Sequence, residues 1–190
     1  MKRTFLVMLA MGLLLYSAVQ AEETKRKVND FTLEDYNGVK HSLTDYKSSK
    51  AIVVMFIATQ CPVSNSYNGR MVELQKDYAA KGITFVAINS NKQESVEEVK
   101  SHSKEHGFEF TVLKDYNNVI ADQLGASVTP EIYVLNSHLE VLYHGRIDDS
   151  SRENKVTTKD LRTALDQILA GKALEVKETK AFGCTIKRIK

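Results

Sequence analysis

The chain contains two cysteines, Cys61 and Cys184, and thiol chemistry is the most specific chemistry that its residue types offer. Pro62 follows Cys61 directly. Because proline lacks an N–H and has a fixed φ, it suits the first position of a helix. The unpaired N–H groups at the start of a helix, and the positive end of its dipole, favour a thiolate. Cys61 is therefore the candidate nucleophile, and Pro62 is expected to keep it at a helix start.

The residues around Cys61 predict the elements that position it. Residues 51–58 carry no charge and are rich in β-branched side chains, which is typical of a strand buried on both faces of a sheet. After Pro62, apolar side chains recur at helical spacing: Tyr67, Met71, Leu74 and Tyr78. They predict an amphipathic helix over 62–80, so Cys61 is expected where a central strand ends and this helix begins.

The first 21 residues are similar to a secretory signal peptide. Lys2 and Arg3 precede an apolar stretch over 5–16, and Val19 and Ala21 provide the small residues of a cleavage site. The alternative is a retained membrane anchor, but a span needs roughly 20 apolar residues and this run is shorter. We therefore expect cleavage of residues 1–21 and a mature protein that is periplasmic or secreted and not embedded in a membrane.

The mature part, 22–190, is predicted to form a single domain in which 172–190 is a C-terminal tail. Removing Lys2 and Arg3 with the signal leaves 24 basic and 24 acidic residues, and this balance predicts no nucleic-acid partner. An exported chain meets an oxidising compartment, so its two cysteines are expected to be paired or redox-active.

The order of patterns along the chain predicts the fold class. Asn37-Gly38 between two short polar–apolar runs is a strong signal for an N-terminal β-hairpin. Further strands are predicted at 51–58, 83–88, 108–113, 132–135 and 141–144, and helices at 62–80, 96–106, 119–124 and around 161–169. Alternating strands and helices followed by a late hairpin indicate an α/β fold, a three-layer sandwich around a mixed sheet.

Pro130, the other proline, follows Thr129 just before a predicted strand. Together, the strand 51–58, the stretch Cys61-Pro-Val-Ser64 and Val128-Thr-Pro130 resemble the thioredoxin superfamily, over about residues 30–170. The resemblance is nearest to the redoxin branch, which holds peroxiredoxin-like proteins and thiol–disulfide oxidoreductases. It implies a thioredoxin-like fold, and a cis bond between Thr129 and Pro130 that faces Cys61 and shapes the groove for a partner.

The sequence departs from the thioredoxin pattern around the cysteine. Thioredoxins carry a second cysteine three residues after the first, where this chain has Ser64, whose hydroxyl is expected to face the Cys61 thiolate. The carboxylate that assists proton transfer in thioredoxin falls at Met55, which has no proton to transfer. The short-range disulfide of thioredoxins therefore cannot form here.

The peroxiredoxin pattern is also incomplete. Its proline and its threonine or serine, seven and three residues before the cysteine, fall at Val54 and Ala58. The arginine that polarises a peroxide is not evident, and Arg70 and Arg146 could replace it only if the fold brings them close to Cys61.

Cys184 leaves three alternatives open. It could be a resolving cysteine that attacks a sulfenic acid or mixed disulfide at Cys61, which requires the tail to fold back over the domain. It could form a structural disulfide that only pins the tail. Both thiols could also remain free. Gly183 beside Cys184 would ease a close approach, since glycine adopts backbone conformations that other residues resist.

The leading hypothesis is an exported thiol–disulfide oxidoreductase with Cys61 as nucleophile and Cys184 as resolving cysteine. The alternatives are a peroxiredoxin-like thiol peroxidase with Cys61 peroxidatic, and a non-catalytic binding module with the same fold. The expected partners are a protein or small-molecule thiol, disulfide or hydroperoxide and an external reductant, without a cofactor.

Two further groups of charged or titratable residues are expected to have no role in catalysis. His102 and His106 have a spacing that can bind a metal, but no third ligand is near in sequence. We expect two solvated histidines and no metal site. The turn 146–149 is expected to be solvated or salt-bridged.

Overall fold

The computed structural model describes residues 26–189, so the predicted signal peptide lies outside the described residues. Seven strands form one sheet: β1 (Thr32–Asp35), β2 (Lys40–Ser42), β3 (Ala51–Ile57), β4 (Ile83–Asn89), β5 (Thr111–Lys114), β7 (Glu131–Leu135) and β8 (Val141–Gly145). Two short strands pair separately: β6 (Val128–Thr129) and β9 (Cys184–Thr185). The helices are α1 (Pro62–Asn65), α2 (Asn68–Ala79), α3 (Val96–Glu105), α4 (Val119–Leu124) and α5 (Asp160–Leu169).

The sheet is mixed, with the strand order β2-β1-β5-β4-β3-β7-β8. Strands β3, β4 and β5 are parallel, whereas β7 runs antiparallel to β3, and β8 antiparallel to β7. The predicted N-terminal hairpin is confirmed as β1 and β2, which continue the sheet at the edge of β5. The predicted α/β fold around a mixed sheet is therefore correct.

Strand β3 divides the interior into two layers, because alternate side chains of a strand point to opposite faces. Its odd-numbered residues pack in one cluster with α2, α3 and α5, and its even-numbered residues pack in a second cluster with α4 and the N-terminal segment. All seven residues of the strand are buried. This double covering explains why residues 51–57 are apolar without alternation.

The helix predicted over 62–80 is interrupted, so the prediction of one continuous helix was wrong. It consists of α1 and α2, separated at Ser66 and Tyr67. The Ser66 carbonyl accepts a hydrogen bond from the guanidinium of Arg70 (3.2 Å). This carbonyl therefore has a side-chain partner in addition to the backbone hydrogen bonds of a helix. The break lets the Tyr67 hydroxyl donate to Asp148 (3.0 Å).

The strand predicted at 108–113 begins later, at Thr111. Phe108 and Phe110 instead stack on each other, with ring centroids 4.6 Å apart, in the layer beside α3. His102 is part of the same aromatic group, where it contacts Phe108 and accepts a hydrogen bond from Asn68 (3.1 Å). His102 is therefore half-buried, and the prediction of a solvated side chain was wrong. This burial lowers the pKa of His102.

Within residues 26–189, no helix has both the length and the apolar character needed to cross a membrane.

Candidate functional site

Cys61 caps the N-terminus of α1, as the sequence predicted, and only 3% of the residue is exposed. The backbone N–H of Ser64 donates a hydrogen bond to its Sγ (3.3 Å), and the Thr129 carbonyl oxygen lies 3.5 Å from the same sulfur. The hydroxyl of Ser64 accepts from the Ala58 N–H (3.1 Å). The contact to Cys61 therefore comes from the backbone of Ser64 and not, as expected, from its hydroxyl.

Cys61 and Cys184 form a disulfide, although 123 residues separate them. Their Cα atoms are 5.9 Å apart, within the usual range for such a bond. Since these are the chain's two cysteines, the alternative of two free thiols does not describe this structure. The tail does fold back over the domain, as a resolving or a structural role of Cys184 both require.

The tail reaches Cys61 by pairing with the segment before Pro130. In this two-residue pair, Cys184 lies opposite Thr129. The peptide between Thr129 and Pro130 is cis, as the resemblance implied. Gly183 has a φ of 153°, and a Cβ there would overlap the Thr129 carbonyl oxygen. Only glycine therefore allows this close approach of the two backbones.

Further contacts hold the tail on both sides of Cys184. On the N-terminal side of Cys184, the Thr179 N–H donates to the His144 carbonyl (2.9 Å). The hydroxyl oxygen of Thr179 accepts from the Arg146 N–H (3.0 Å). On the C-terminal side, Ile186 is 3% exposed and packs in the layer of α4. Lys187 then donates its N–H to the Asn91 side chain (2.7 Å). The tail is thus a docked segment and not a loose end.

Glu94 supports the loop that carries Cys61, and the sequence analysis missed it. Its carboxylate is 1% exposed and accepts hydrogen bonds from the backbone N–H groups of Thr59 (2.8 Å) and Gln60 (3.1 Å). The side chains of Asn89 and Asn91 also donate to it. The two peptides before Cys61 are therefore fixed by one buried carboxylate.

A signal for Glu94 was present in the sequence. Strands β3 and β4 are parallel neighbours, so the loops at their carboxyl ends lie at the same edge of the sheet. The end of β4 and the loop after it carry polar residues, all of them buried: Asn89, Ser90, Asn91 and Glu94. A polar cluster at that position lies at the same edge of the sheet as Cys61.

A second buried carboxylate, Glu131, follows Pro130. It accepts from the backbone N–H groups of Ser127 (2.8 Å) and Val128 (3.1 Å), and from the ring of His144 (2.7 Å). Burial alone would raise the pKa of Glu131, but these hydrogen bonds outweigh it and lower the pKa. Glu131 therefore holds, as a carboxylate, the segment against which Cys184 pairs.

Both candidate arginines form ion pairs with aspartates. Arg70 is buried, pairs with Asp148 and donates to the carbonyls of Ser150 and Ser151 (2.9 Å each). Arg146 pairs with Asp160, its Nε lying 2.8 Å from a carboxylate oxygen. The turn 146–149 is salt-bridged, as predicted.

Comparisons with known proteins show similarity to thiol-disulfide oxidoreductases and to peroxidases. The chain is similar to the thiol-disulfide oxidoreductase ResA of Geobacillus thermodenitrificans, with 25% identity over 140 residues, which is 72% of this chain and 79% of the relative. It is also similar to a probable phospholipid hydroperoxide glutathione peroxidase of Solanum lycopersicum, with 34% identity over 67 residues. That match covers only 35% of this chain and 39% of the relative.

A solved structure of a hypothetical protein from Sinorhizobium meliloti superimposes with a TM-score of 0.82. It shares 33% identity, and the match covers 87% of this chain and 94% of that one. The family model described as the AhpC/TSA family matches residues 24–149. The strand, the Cys-Pro pair and the cis proline within that region are those of a redoxin, and the chain belongs to the AhpC/TSA family.

Proposed function

We propose that this protein is an exported thiol–disulfide oxidoreductase in which Cys61 and Cys184 alternate between a dithiol and a disulfide. Proteins similar to this chain are thiol–disulfide oxidoreductases and peroxidases, and this chain is an oxidoreductase of one of those types. The observation that carries the alternation between dithiol and disulfide is the disulfide itself, which joins a helix-capping cysteine to a tail cysteine paired with Thr129.

The cycle follows from these positions. In the reduced protein, the Cys61 thiolate attacks a substrate disulfide, forms a mixed disulfide and releases one substrate thiolate. Cys184 then attacks the Cys61 sulfur as a thiolate, forms the Cys61–Cys184 bond and releases the second substrate thiolate. Two electrons pass to the substrate, and an external thiol reductant restores the dithiol.

The structure favours a disulfide over a hydroperoxide as substrate. The peroxiredoxin pattern includes an arginine that polarises the peroxide, and here the guanidinium groups of Arg70 and Arg146 form ion pairs with Asp148 and Asp160. The relative named as a peroxidase matches only about a third of this chain. A disulfide needs no such cation, because its leaving group is a thiolate.

The decisive experiment separates a catalytic disulfide from a structural one. Purified oxidised protein is titrated with a dithiol reductant while its fold is followed by circular dichroism. A catalytic disulfide is reduced in the folded state, and the reduced protein then reduces a model protein disulfide over many cycles. If the reductant cannot reduce the disulfide while the protein stays folded, the disulfide is structural. Consumption of hydrogen peroxide without disulfide reduction would instead identify a thiol peroxidase.

Export is tested separately, by N-terminal sequencing of the protein from its native cells. Cleavage of the proposed signal leaves Glu22 as the first residue of a protein in the periplasm or the medium. Recovery of Met1 in a membrane fraction would contradict export with cleavage and would support the membrane anchor.

A further inference from the structure

The ring of His144 lies between two carboxylates that belong to different segments of the chain. Its Nε2 is 2.7 Å from the Glu131 Oε1, and its Nδ1 is 3.4 Å from the Glu178 Oε1. Glu131 accepts from the backbone N–H groups of residues 127–128, in the segment that pairs with the strand of Cys184. Glu178 lies in the tail itself. His144 therefore joins the tail to the segment on which Cys184 docks.

The two contacts of the His144 ring are satisfied together only by an imidazolium. A neutral imidazole has one N–H and can donate to one carboxylate, whereas an imidazolium has two. The ring also stacks on Tyr133, with centroids 4.3 Å apart and planes 15° from parallel, which holds it in line between the two carboxylates. The geometry is therefore that of a positively charged ring with one acceptor on each side.

The other charged groups around the ring are cations, and they oppose this charge. They line the clefts on the two sides of His144: Arg26, Lys172, Lys177 and Lys180. The guanidinium of Arg26 lies over the ring of Tyr133 (5.7 Å), and Arg146 is paired with Asp160. The three lysines are exposed, so water screens them, whereas both carboxylates contact the ring directly.

We infer that His144, as an imidazolium, is a positioning residue of the proposed reaction and holds the tail where Cys184 reaches Cys61. This inference rests on the proposed function, since it concerns the formation of a catalytic disulfide. The backbone of His144 also binds the tail: its N–H donates to the Lys177 carbonyl and its carbonyl accepts from the Thr179 N–H (2.9 Å each). The ring therefore adds a contact that depends on charge to a backbone pair that does not.

A contact that holds the tail raises the effective concentration of the Cys184 thiol at Cys61. In the reduced protein no covalent bond joins the two residues, so the contacts of the tail decide how often their sulfurs meet. An exposed ion pair contributes little, and its loss should lower this effective concentration by about threefold. Because a histidine side chain is charged below about pH 6.5 and neutral above it, the contribution is present in acid and is lost as the pH rises.

The test equilibrates the folded chain with known ratios of reduced and oxidised glutathione, at about pH 5.5 and about pH 8. In this equilibrium the protein dithiol reduces one oxidised glutathione to two glutathione thiols and becomes the Cys61–Cys184 disulfide. Samples are quenched with acid, free thiols are blocked with N-ethylmaleimide, and mass spectrometry gives the oxidised fraction. The oxidised fraction yields the effective concentration of the two thiols.

Two variants remove the charged contact, and a third is the matched control. His144→Gln and Glu178→Gln should each have an effective concentration about threefold below that of the unchanged chain at pH 5.5 and close to it at pH 8. The double variant should be no lower than either single variant, because both changes remove the same contact. Glu175→Gln neutralises another exposed carboxyl of the tail and should match the unchanged chain at both pH values. Comparison between chains cancels the titration of the cysteines, which all of them share.

The remaining outcomes are distinct from one another. An equal loss at both pH values would mean a merely structural role of His144 and would overturn the inference, as would no loss at either pH. Both results leave the proposed function intact. If His144→Gln does not fold, Glu178→Gln decides alone, since Glu178 is exposed. A disulfide that the folded protein does not exchange with glutathione or dithiothreitol would overturn the proposed function, and the inference with it.

Discussion

The two halves of the Cys61–Cys184 disulfide are held by different physical means. The Cys61 half follows β3, whose residues are at most 2% exposed and pack in both layers of the core. The Cys184 half lies in a tail strand of two residues. Backbone hydrogen bonds, the buried side chain of Ile186, the ring of Phe182 against Tyr67 and the ion pair of Arg188 with Asp122 hold that strand.

Because of this difference, Cys61 is the fixed partner of the disulfide and Cys184 is the partner that can detach. Moving Cys61 requires disruption of β3 and both layers of the core, whereas moving Cys184 disrupts hydrogen bonds, the burial of Ile186 and the peripheral contacts of Phe182 and Arg188. Free energies of local opening are lowest where few apolar contacts hold a segment. The chemistry therefore has a rigid cysteine facing the substrate and a tail cysteine that can move away and return.

The largest expected effect comes from removing each cysteine in turn. Cys61→Ser and Cys184→Ser should each lower disulfide-reducing turnover to the rate without protein, because each removes one sulfur of the cycle. Both should lower the free energy of unfolding of the oxidised protein by about 2–4 kcal/mol, since both remove the same cross-link. Turnover assays and urea unfolding measure these two quantities.

The two variants should differ in the product that they accumulate. Cys184→Ser retains the nucleophile and should trap a stable mixed disulfide between Cys61 and the substrate, seen as a mass increase that reductant removes. Cys61→Ser should trap much less, because its remaining sulfur lacks the Ser64 N–H. Equal trapping by both variants would contradict the assignment of Cys61 as the nucleophile.

The next effect concerns the anchor of the tail. Ile186→Ala removes buried apolar atoms and should lower the free energy of unfolding by about 2–5 kcal/mol. In the reduced protein, it should also abolish hydrogen-exchange protection in the segment 184–189. Ile189→Ala is the matched control: Ile189 is 52% exposed, so its loss should change stability by no more than about 0.5 kcal/mol. Similar effects of both changes would mean that the tail is not held through Ile186.

The sequence predicts the Cys61 half well because local rules determine it. The apolar run 51–58 and Pro62 predict β3 and the start of α1, and these predictions are confirmed. The break between α1 and α2 could not be predicted from apolar spacing. At the break, Tyr67 and Arg70 both bind Asp148, which is far away in sequence and meets them only in the folded chain.

The Cys184 half could not be predicted, because its conformation depends on distant surfaces. The tail is polar, and it is positioned by Thr179 against Gly145 and by Gly183 against Thr129. Gly183 beside Cys184 indicated a close approach, but nothing in the sequence identified Thr129 or Gly145 as the backbone that is approached. The cysteine count and the predicted export favoured a bond between Cys61 and Cys184 over two free thiols, but they could not show how the tail reaches Cys61.

A smaller effect should come from Glu94, which supports only the Cys61 half. Glu94→Gln replaces one carboxylate oxygen by a donor, so one of the N–H groups of Thr59 and Gln60 loses its acceptor. A buried donor without a partner costs about 1–3 kcal/mol, and the loss should appear in the free energy of unfolding. Because the loop before Cys61 is then less fixed, the alkylation rate of reduced Cys61 should also change.

Glu98→Gln is the matched control for this loop. Glu98 is exposed and contacts the side chain of Gln60 (3.0 Å) and the N–H of Ser95 (2.6 Å), so it caps α3 and does not hold the Cys61 backbone. We expect a loss of stability below about 1 kcal/mol and an unchanged alkylation rate. An equal change of rate in both variants would show that Glu94 has no special role at Cys61.

The smallest expected effect is a pH dependence that arises on the Cys184 side, from Glu131. Burial raises the pKa of this carboxyl, but hydrogen bonds from His144 and the backbone N–H groups lower it more, so its pKa lies below the ordinary value. Such a group stabilises the folded state above its unfolded pKa of about 4.3, and this contribution is lost as the pH falls through the folded pKa. The free energy of unfolding should therefore fall less steeply below about pH 4.3 in Glu131→Gln than in the unchanged chain. The control Glu109→Gln changes an exposed carboxyl and should keep the original slope. If Glu131→Gln and the unchanged chain have the same slope in urea unfolding at several pH values, the carboxylate does not hold the segment on which Cys184 docks.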